Sequence, residues 1–440
     1  MYTGVSNISQ VITGDMMVTK TGLWTTIFLV YLAILGTRDA FAGGFYIPHQ
    51  TARGVGLSNA LTAGVDDPSA VYHNPAALSE VEENQLLLTG TYINVISSVE
   101  NSGHKAVNLH DDNFTGSLFG NYHVPRTDFT LGLGIYAPFG LATSYGGGFT
   151  RFAARLTELK TLYLTPAVSW HPSKFFSVGG GFSFVHSSAL LSRSLCFDGI
   201  FGCAFPGGEE KIRIKDSDNA YSYNVGLLVK PVDAVKIGFS YRGRADLHFD
   251  NADTKLRGIA PAKAKANVGP IPLPAIIDLG LFWQINPSWA AELVYEYQHW
   301  SEFKDIKASF SPPPFGISSV ALARDWKNAN TLRLGSFYRL NKHFELRGGI
   351  TLEEGPIPNK TLNPAIPGAD LLTLNAGVGY KWENFSIDLG YQAVLYKTRR
   401  VNNSELEGAS PPGVPFSGAP GKDKYQTFNN FVSISVGYRF

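Results

Sequence analysis

After residue 84, hydrophobic and polar residues alternate one by one over most of the chain. Val235, Ile237, Phe239 and Tyr241 interleave with Lys236, Ser240 and Arg242; Phe344, Leu346, Ile350 and Leu352 interleave with Glu345, Arg347, Thr351 and Glu353. The last residues repeat the pattern: Val432, Ile434, Val436, Tyr438 and Phe440 alternate with Ser433, Ser435 and Arg439. A period of two means strands with one apolar and one polar face. Fourteen segments read this way: 85–96, 114–122, 129–137, 161–170, 176–187, 218–229, 235–242, 275–285, 290–300, 329–340, 344–353, 370–381, 385–397 and 427–440. A soluble sandwich and a membrane barrel both produce such strands, so alternation alone leaves the two open.

The connections separate them. Short links (123–128, 171–175, 230–234, 286–289, 341–343, 382–384) take turns with long ones (97–113, 138–160, 188–217, 243–274, 301–328, 354–369, 398–426) along the whole chain. An even number of antiparallel strands with tight turns at one end and long loops at the other describes an outer-membrane barrel. In hydrocarbon every backbone polar group needs an internal partner, so only a closed sheet can span. Tyr122, Trp170, Trp300, Tyr338, Trp382, Tyr396 and Tyr438 sit at strand ends, where interfacial aromatic girdles belong. The final Tyr438-Arg439-Phe440 looks like the C-terminal signature by which bacterial barrels are recognised for insertion, so the barrel assembly machinery is an expected partner.

Composition narrows the classes further. Charged residues make up 17% of the chain and hydrophobic ones 44%, a low charge content for a soluble domain. Lys and Arg number 37 against 36 Asp and Glu, a net charge of +1, which offers no basic surplus for a nucleic acid. Gly is abundant at 46, and Phe, Tyr and Trp number 29, 20 and 7. Histidines such as His104, His110, His123, His171, His186, His248 and His299 are scattered, with no Gly-x-Ser-x-Gly or His-Glu-x-x-His, so a hydrolase lacks its nucleophile and base. No cofactor or metal is expected.

The N-terminus reads as an address. Lys20, the apolar stretch Leu23–Leu35 and Ala40-Phe41-Ala42 form a secretory signal over 1–42, with Met16 or Met17 as an alternative start. A single membrane anchor is the competing reading. Export would place Cys196 and Cys203 in an oxidising compartment, where they are expected to bridge and staple their loop. Residues 43–84 do not alternate. Asp67 can cap a short helix that has Pro68 at its first position, and a stretch of mixed helix and turn cannot span the membrane, so it is expected to fold back as a partly helical hatch (plug) inside the lumen. Residues 85–440 would then form the barrel, and a sealed barrel of one chain is expected to be a monomer.

At this point the sequence resembles a family. Gly43-Gly44-Phe45, Gly54-Val55-Gly56, Asp66-Asp67-Pro68-Ser69 and Asn74-Pro75-Ala76 look like the hatch of the FadL outer-membrane long-chain fatty acid transport family, which also holds aromatic-hydrocarbon channels. Pro138-Phe139-Gly140-Leu141, Glu158-Leu159-Lys160-Thr161-Leu162, Thr165-Pro166-Ala167, Trp300-Ser301-Glu302-Phe303 and Pro356-Ile357-Pro358 extend the likeness. The resemblance implies an all-β fold, a 14-stranded antiparallel transmembrane β-barrel with its hatch in the lumen, seated in outer-membrane lipid. It also implies passive, selective uptake of a long-chain fatty acid or other hydrophobic small molecule, with a kink in the third strand at Pro138 that opens the wall sideways and is touched by Asn74, Pro75 and Ala76. Phe45 is expected against the ligand tail. Apolar loops, with Phe310 and Phe315 in 308–317, Ile271-Pro272-Leu273-Pro274, and Phe197, Ile200, Phe201 and Phe205 around the cysteines, would capture it. Each buried CH₂ contributes about 0.8 kcal/mol, so a long acyl chain needs little polar help. An anionic head would select a basic residue, for which Arg193, Arg324 and Lys327 are the candidates; pairing of lumen arginines with Glu345 or Glu353 is the competing reading. A general porin, which needs an open lumen, and a channel for aromatic hydrocarbons stand as alternatives.

Overall fold

The alternating segments pair in chain order and the last returns to the first, so the sheet has no edge. The computed structural model describes residues 44–101, 104–109, 112–146, 149–196, 209–257, 262–314, 318–402 and 423–440. The expected leader 1–42, Gly43, the aromatic residues between the cysteines, Phe205, Cys203 and Phe315 lie outside the described residues, and with Cys203 the expected bridge to Cys196. Fourteen staves form the wall: β1 (Gln85–Asn101), β2 (Asp112–His123), β3 (Phe129–Tyr136), β4 (Leu156–Ser173), β5 (Phe176–Cys196), β6 (Glu209–Val232), β7 (Val235–Arg242), β8 (Ile276–Asn286), β9 (Trp289–Gln298), β10 (Ala329–Arg339), β11 (Phe344–Glu353), β12 (Leu371–Trp382), β13 (Phe385–Tyr396) and β14 (Asp423–Arg439). Neighbours are antiparallel, and β14 closes on β1 from Gln85↔Arg439 to Glu100↔Lys424.

Each stave carries its two faces as the alternation requires. On β13, Phe385, Ile387, Leu389 and Tyr391 are exposed on the outside while Asp388 and Gln392 are buried within. Tyr122, Trp170, Tyr338, Trp382 and Tyr438 stand exposed at stave ends. Trp300 does not: it is buried inside, because the chain leaves β9 at Gln298 and turns into the lumen. Tyr396 is half-buried, and its hydroxyl accepts from Asn429 Nδ2 at 3.0 Å.

The long connections differ from their sequence reading. β5 and β6 remain paired out to Cys196↔Glu209, and Ala245–Arg257 pairs with Ala262–Leu273, so 188–217 and 243–274 are largely extended hairpins rather than irregular loops. Within 301–328, Asp305–Ser311 pairs with Ser319–Ala323. The period of two continues into these hairpins (Ile212 and Ile214 between Lys211, Arg213 and Lys215), but their outer face is charged, and only an apolar outer face marks a membrane strand. Ile271 and Leu273, read as loop, point inward from the second hairpin and are buried.

Residues 44–84 fill the lumen. Helix α1 (Ala52–Gly56) starts at Thr51, whose hydroxyl accepts from Gly54 N at 2.9 Å. Asp67 Oδ1 accepts from Ser69 N at 2.9 Å ahead of the single-turn α2 (Ala70–His73), and a 3₁₀ turn follows at Pro75–Glu80. Between Pro48 and Leu78 every residue but Asp66 and Asp67 is buried.

The wall is moulded to this plug. A Cβ on Gly226 would lie 2.0 Å from Asn74 Oδ1, one on Gly238 2.4 Å from Thr62 O, and one on Gly390 2.4 Å from Ala52 O. Part of the glycine surplus therefore marks where plug backbone touches barrel backbone. Asn74, Pro75 and Ala76 are among the contacting residues, but on β4, β5 and β6 rather than at Pro138. Asn74 Nδ2 donates to Leu227 O at 3.1 Å, and Ser169 and Ser177 hydroxyls donate to Ala76 O at 2.9 and 3.0 Å. The reason is steric: the glycines that admit this turn, Gly179 and Gly226, lie on β5 and β6.

Candidate functional site

The third stave loses its neighbour half-way up. β3 pairs with β2 only from His123↔Thr130 to Leu118↔Ile135. Proline has no N–H to offer a ladder, and at Pro138 the chain bends into the lumen. There the plug takes over as strand partner: Ile47 N donates to Pro138 O at 2.7 Å, Gly140 N to Phe45 O at 3.0 Å, and Tyr46 bridges Phe139. Gly140–Ser144 then rejoins the wall along β4. Gln50, buried, completes the substitution. Its Oε1 accepts from Ala137 N at 3.1 Å and its Nε2 donates to Ala137 O at 3.3 Å, while Ser117 on β2 donates its hydroxyl to Gln50 O at 2.5 Å.

Above the break the frame closes again, since Leu109 N donates to Ser144 O at 2.6 Å and Ser144 N to Asn108 Oδ1 at 2.8 Å. Between the two crossings the described residues of β2 from Asn113 to Ser117 pair with β1 only. The wall therefore has a window.

A cavity of about 330 Å³ stands behind it. Phe45, Tyr46, Ile47, Phe139 and Leu141 line its inner part, and Phe114 lines its outer rim. Phe45 is 4% exposed and Phe114 81% exposed, so one cavity reaches from the plug to the outer surface of the barrel. Phe45 is held in an aromatic cage, its ring centroid 5.0 Å from Trp300, 5.8 Å from Trp326, 6.2 Å from Phe139 and 6.3 Å from Phe303. Gly44 makes the approach possible: its φ of +37° suits glycine, and a Cβ there would sit 2.6 Å from the Trp326 ring.

Two of the basic candidates come together. Arg324 is buried, and loss of water around its charge, together with the neighbouring Arg193, pushes its pKa down to about 10. Arg324 Nη1 donates to Ala323 O at 3.2 Å, its Nε has no partner, and among the described residues no carboxylate pairs with it. Lys327 lies on the opposite side of its loop, exposed, with its backbone N on Pro356 O. Phe310 is half-buried against the inner cluster. Lumen arginines further down are paired: Arg347 with Glu345 at 2.8 Å and Asp388 at 2.6 Å, Arg333 with Glu296 at 2.8 Å and Glu353 at 3.7 Å. The sequence reading missed Gln50, Trp326 and the inward role of Trp300. A lone glutamine in a non-periodic stretch carries no signal, whereas Pro138 did.

A family model described as "Outer membrane protein transport protein (OMPP1/FadL/TodX)" matches residues 33–440. The chain belongs to that family. Among its relatives are Outer membrane protein P1 of Haemophilus influenzae, 24% identical over 92% of this chain and 97% of that one, and the Long-chain fatty acid transport protein of Escherichia coli K12, 22% identical over 88% and 95%. In fold the barrel is similar to a Pseudomonas aeruginosa FadL homologue (TM-score 0.77, 21% identity, covering 90% of this chain and 100% of that one). It is also similar to the Pseudomonas putida toluene transporter TodX (0.72, 18%, 89% and 99%). As an OMPP1/FadL/TodX protein the chain is a transport protein of the bacterial outer membrane, not an enzyme.

Proposed function

We propose that the protein takes up long-chain fatty acids or similar hydrophobic molecules by selective diffusion, without energy input. The substrate binds among the outer hairpins near Phe310, with its acidic head towards Arg324 and Arg193. It moves on to the aromatic cage, displaces Gly44–Ile47 and leaves sideways through the window by Phe114. The observation that carries this reading is the single cavity shared by buried Phe45 and exposed Phe114. Burial of an acyl tail there supplies affinity at about 0.8 kcal/mol per CH₂, and the unpartnered Nε of Arg324 supplies selection for an anion. A second reading, uptake of neutral aromatic hydrocarbons, is favoured by the cage of Phe45, Trp300, Trp326 and Phe303, which needs no head group. Uptake of labelled oleate and labelled toluene by cells with and without the protein separates the two. Oleate uptake that depends on the protein and falls when Gly43–Tyr46 is deleted supports the first reading; toluene uptake alone supports the second, and neither would overturn both.

A further inference from the structure

The outer face of the extended hairpins carries charge in ranks. β6 runs beside Ala245–Arg257, which in turn runs beside Ala262–Leu273, and paired residues share a face. One rank is Lys215, Asp253 and Lys265; the next is Arg213, Lys255 and Lys263; the outermost described pair is Lys211 and Arg257. All of these side chains are exposed. Asp253 is the one carboxylate in the ranks, and it is taken by Lys265 at 2.7 Å. Among the described residues none of Arg213, Lys255 and Lys263 forms an ion pair, although they stand directly opposite one another across two strand junctions, an arrangement that destabilises a sheet unless an anion offsets it.

The ranks are not flat. A groove of about 240 Å³ runs between them, lined by Asp253, Lys255, Lys263, Lys265, Ser311 and Pro312, with the Asp253 carboxylate taken up by Lys265. Ammonium groups and a hydroxyl around a shallow trough form a donor set for phosphate oxygens. The hairpins belong to the end with the long connections, which in an outer-membrane barrel faces outward. Tyr221 and Tyr223 mark the aromatic band below on the same face of β6, six and eight residues from Lys215. At about 3.3 Å per residue and a strand tilt of about 40°, the cations begin roughly 15 Å above Tyr221. That is the layer of phosphorylated sugars in an outer leaflet made of lipopolysaccharide. We propose that this groove binds clustered phosphates of the surrounding lipopolysaccharide, a lateral partner distinct from the transported molecule. Such contacts neutralise the like-charge ranks and hold the hairpins upright beside the entrance.

The test uses the purified full-length protein and lipopolysaccharide as the probe. The triple variant Arg213→Ala, Lys255→Ala, Lys263→Ala is expected to bind at least tenfold more weakly than the parent, as removal of several surface cations implies. The charge-keeping variant Arg213→Lys, Lys255→Arg, Lys263→Arg should bind like the parent. Dephosphorylated lipopolysaccharide should bind the parent as weakly as phosphorylated lipopolysaccharide binds the alanine variant, and raised salt should weaken only the phosphorylated form. Oleate binding, read in parallel, should be equal in all three proteins. Equal affinity of the alanine variant, equal affinity for dephosphorylated lipopolysaccharide, or full displacement by inorganic phosphate at millimolar concentration would each overturn the proposal.

Discussion

Two seams of the same barrel solve the strand-partner problem in opposite ways. Where β14 meets β1, the ladder runs unbroken from Gln85↔Arg439 to Glu100↔Lys424, and the plug meets this part of the wall through side chains, with Ala52 N on Ser435 Oγ at 2.9 Å and the His49 ring 5.7 Å from that of Phe431. Where β2 meets the third stave, the ladder stops at Leu118↔Ile135 and the plug itself supplies partners through Phe45, Ile47 and Gln50. An unmade backbone hydrogen bond in an apolar setting costs several kcal/mol. A break can therefore persist only where something else satisfies the exposed groups. The opening in the wall and the seating of the plug are one structural feature, and what loosens one should alter the other.

The largest effect is expected from the mould. Gly226→Val places side-chain atoms inside Asn74 and should unseat the plug, a loss of about 3 kcal/mol or more from overpacking, visible as ion conductance in planar bilayers. Gly90→Val lies on the closed seam, where a Cβ meets nothing within 4 Å, and should stay silent. Equal conductance of the two variants would detach the plug from the wall glycines.

Next in size is Gln50→Ala. It strands Ala137 N and O, about 1–3 kcal/mol for each buried group left unpaired, so the bent segment loses its anchor. Oleate uptake should fall about tenfold while the folded barrel keeps its heat-modifiable gel mobility. Pro138→Ala should act in the same direction but more weakly, because it restores one donor and leaves the Gln50 contacts in place. Smaller again is Arg324→Ala, which should weaken oleate binding about tenfold and leave toluene binding unchanged, in keeping with the loss of one charge-assisted contact.

Acid should have the smallest effect. Burial, with Arg242, Arg53 and Arg333 nearby, lowers the pKa of His73 to about 3, so it is neutral when the plug is seated. A displaced, hydrated His73 takes up a proton near pH 6.5. The seated state is therefore favoured fully above that value and loses stability as pH falls from 6.5 towards 3. Burial would raise Asp66, but its contact with Arg53 outweighs that and holds it well below the usual carboxylate range, so Asp66 adds its own loss only in stronger acid. Conductance should be flat above pH 7 and begin to rise at pH 6, where His73 accounts for less than about 1 kcal/mol.

The wall was legible in the sequence because a membrane strand writes its environment into every second residue. Each of the fourteen staves overlaps one alternating segment, though several run on beyond it, and Pro138 flagged the bend. The hairpins beyond the membrane were hidden since their outer residues, Lys211, Arg213, Lys255 and Lys263, are charged on a face where the reading looked for apolar ones. Trp300 was misplaced because a tryptophan at a strand end looks the same whether it meets lipid or turns inward to Phe45. The path of Asn74 to β5 and β6 depends on Gly179 and Gly226, far apart in sequence from the turn they admit. Gln50 acts through backbone groups of Ala137, and no side-chain pattern encodes that.

If hydrophobic cargo leaves through the window, a bulky group attached to a cysteine placed there must block uptake. With Cys196 and Cys203 replaced by serine, Thr115→Cys puts a thiol on the cavity rim, while Gly90→Cys puts one on the outer face of β1 beside the closed seam. Labelled oleate uptake is measured before and after a bulky maleimide. The modified Thr115→Cys protein is expected to lose at least nine-tenths of its uptake, roughly a tenfold block, and modified Gly90→Cys to lose none. Undiminished uptake through the modified Thr115→Cys protein would contradict exit through the window.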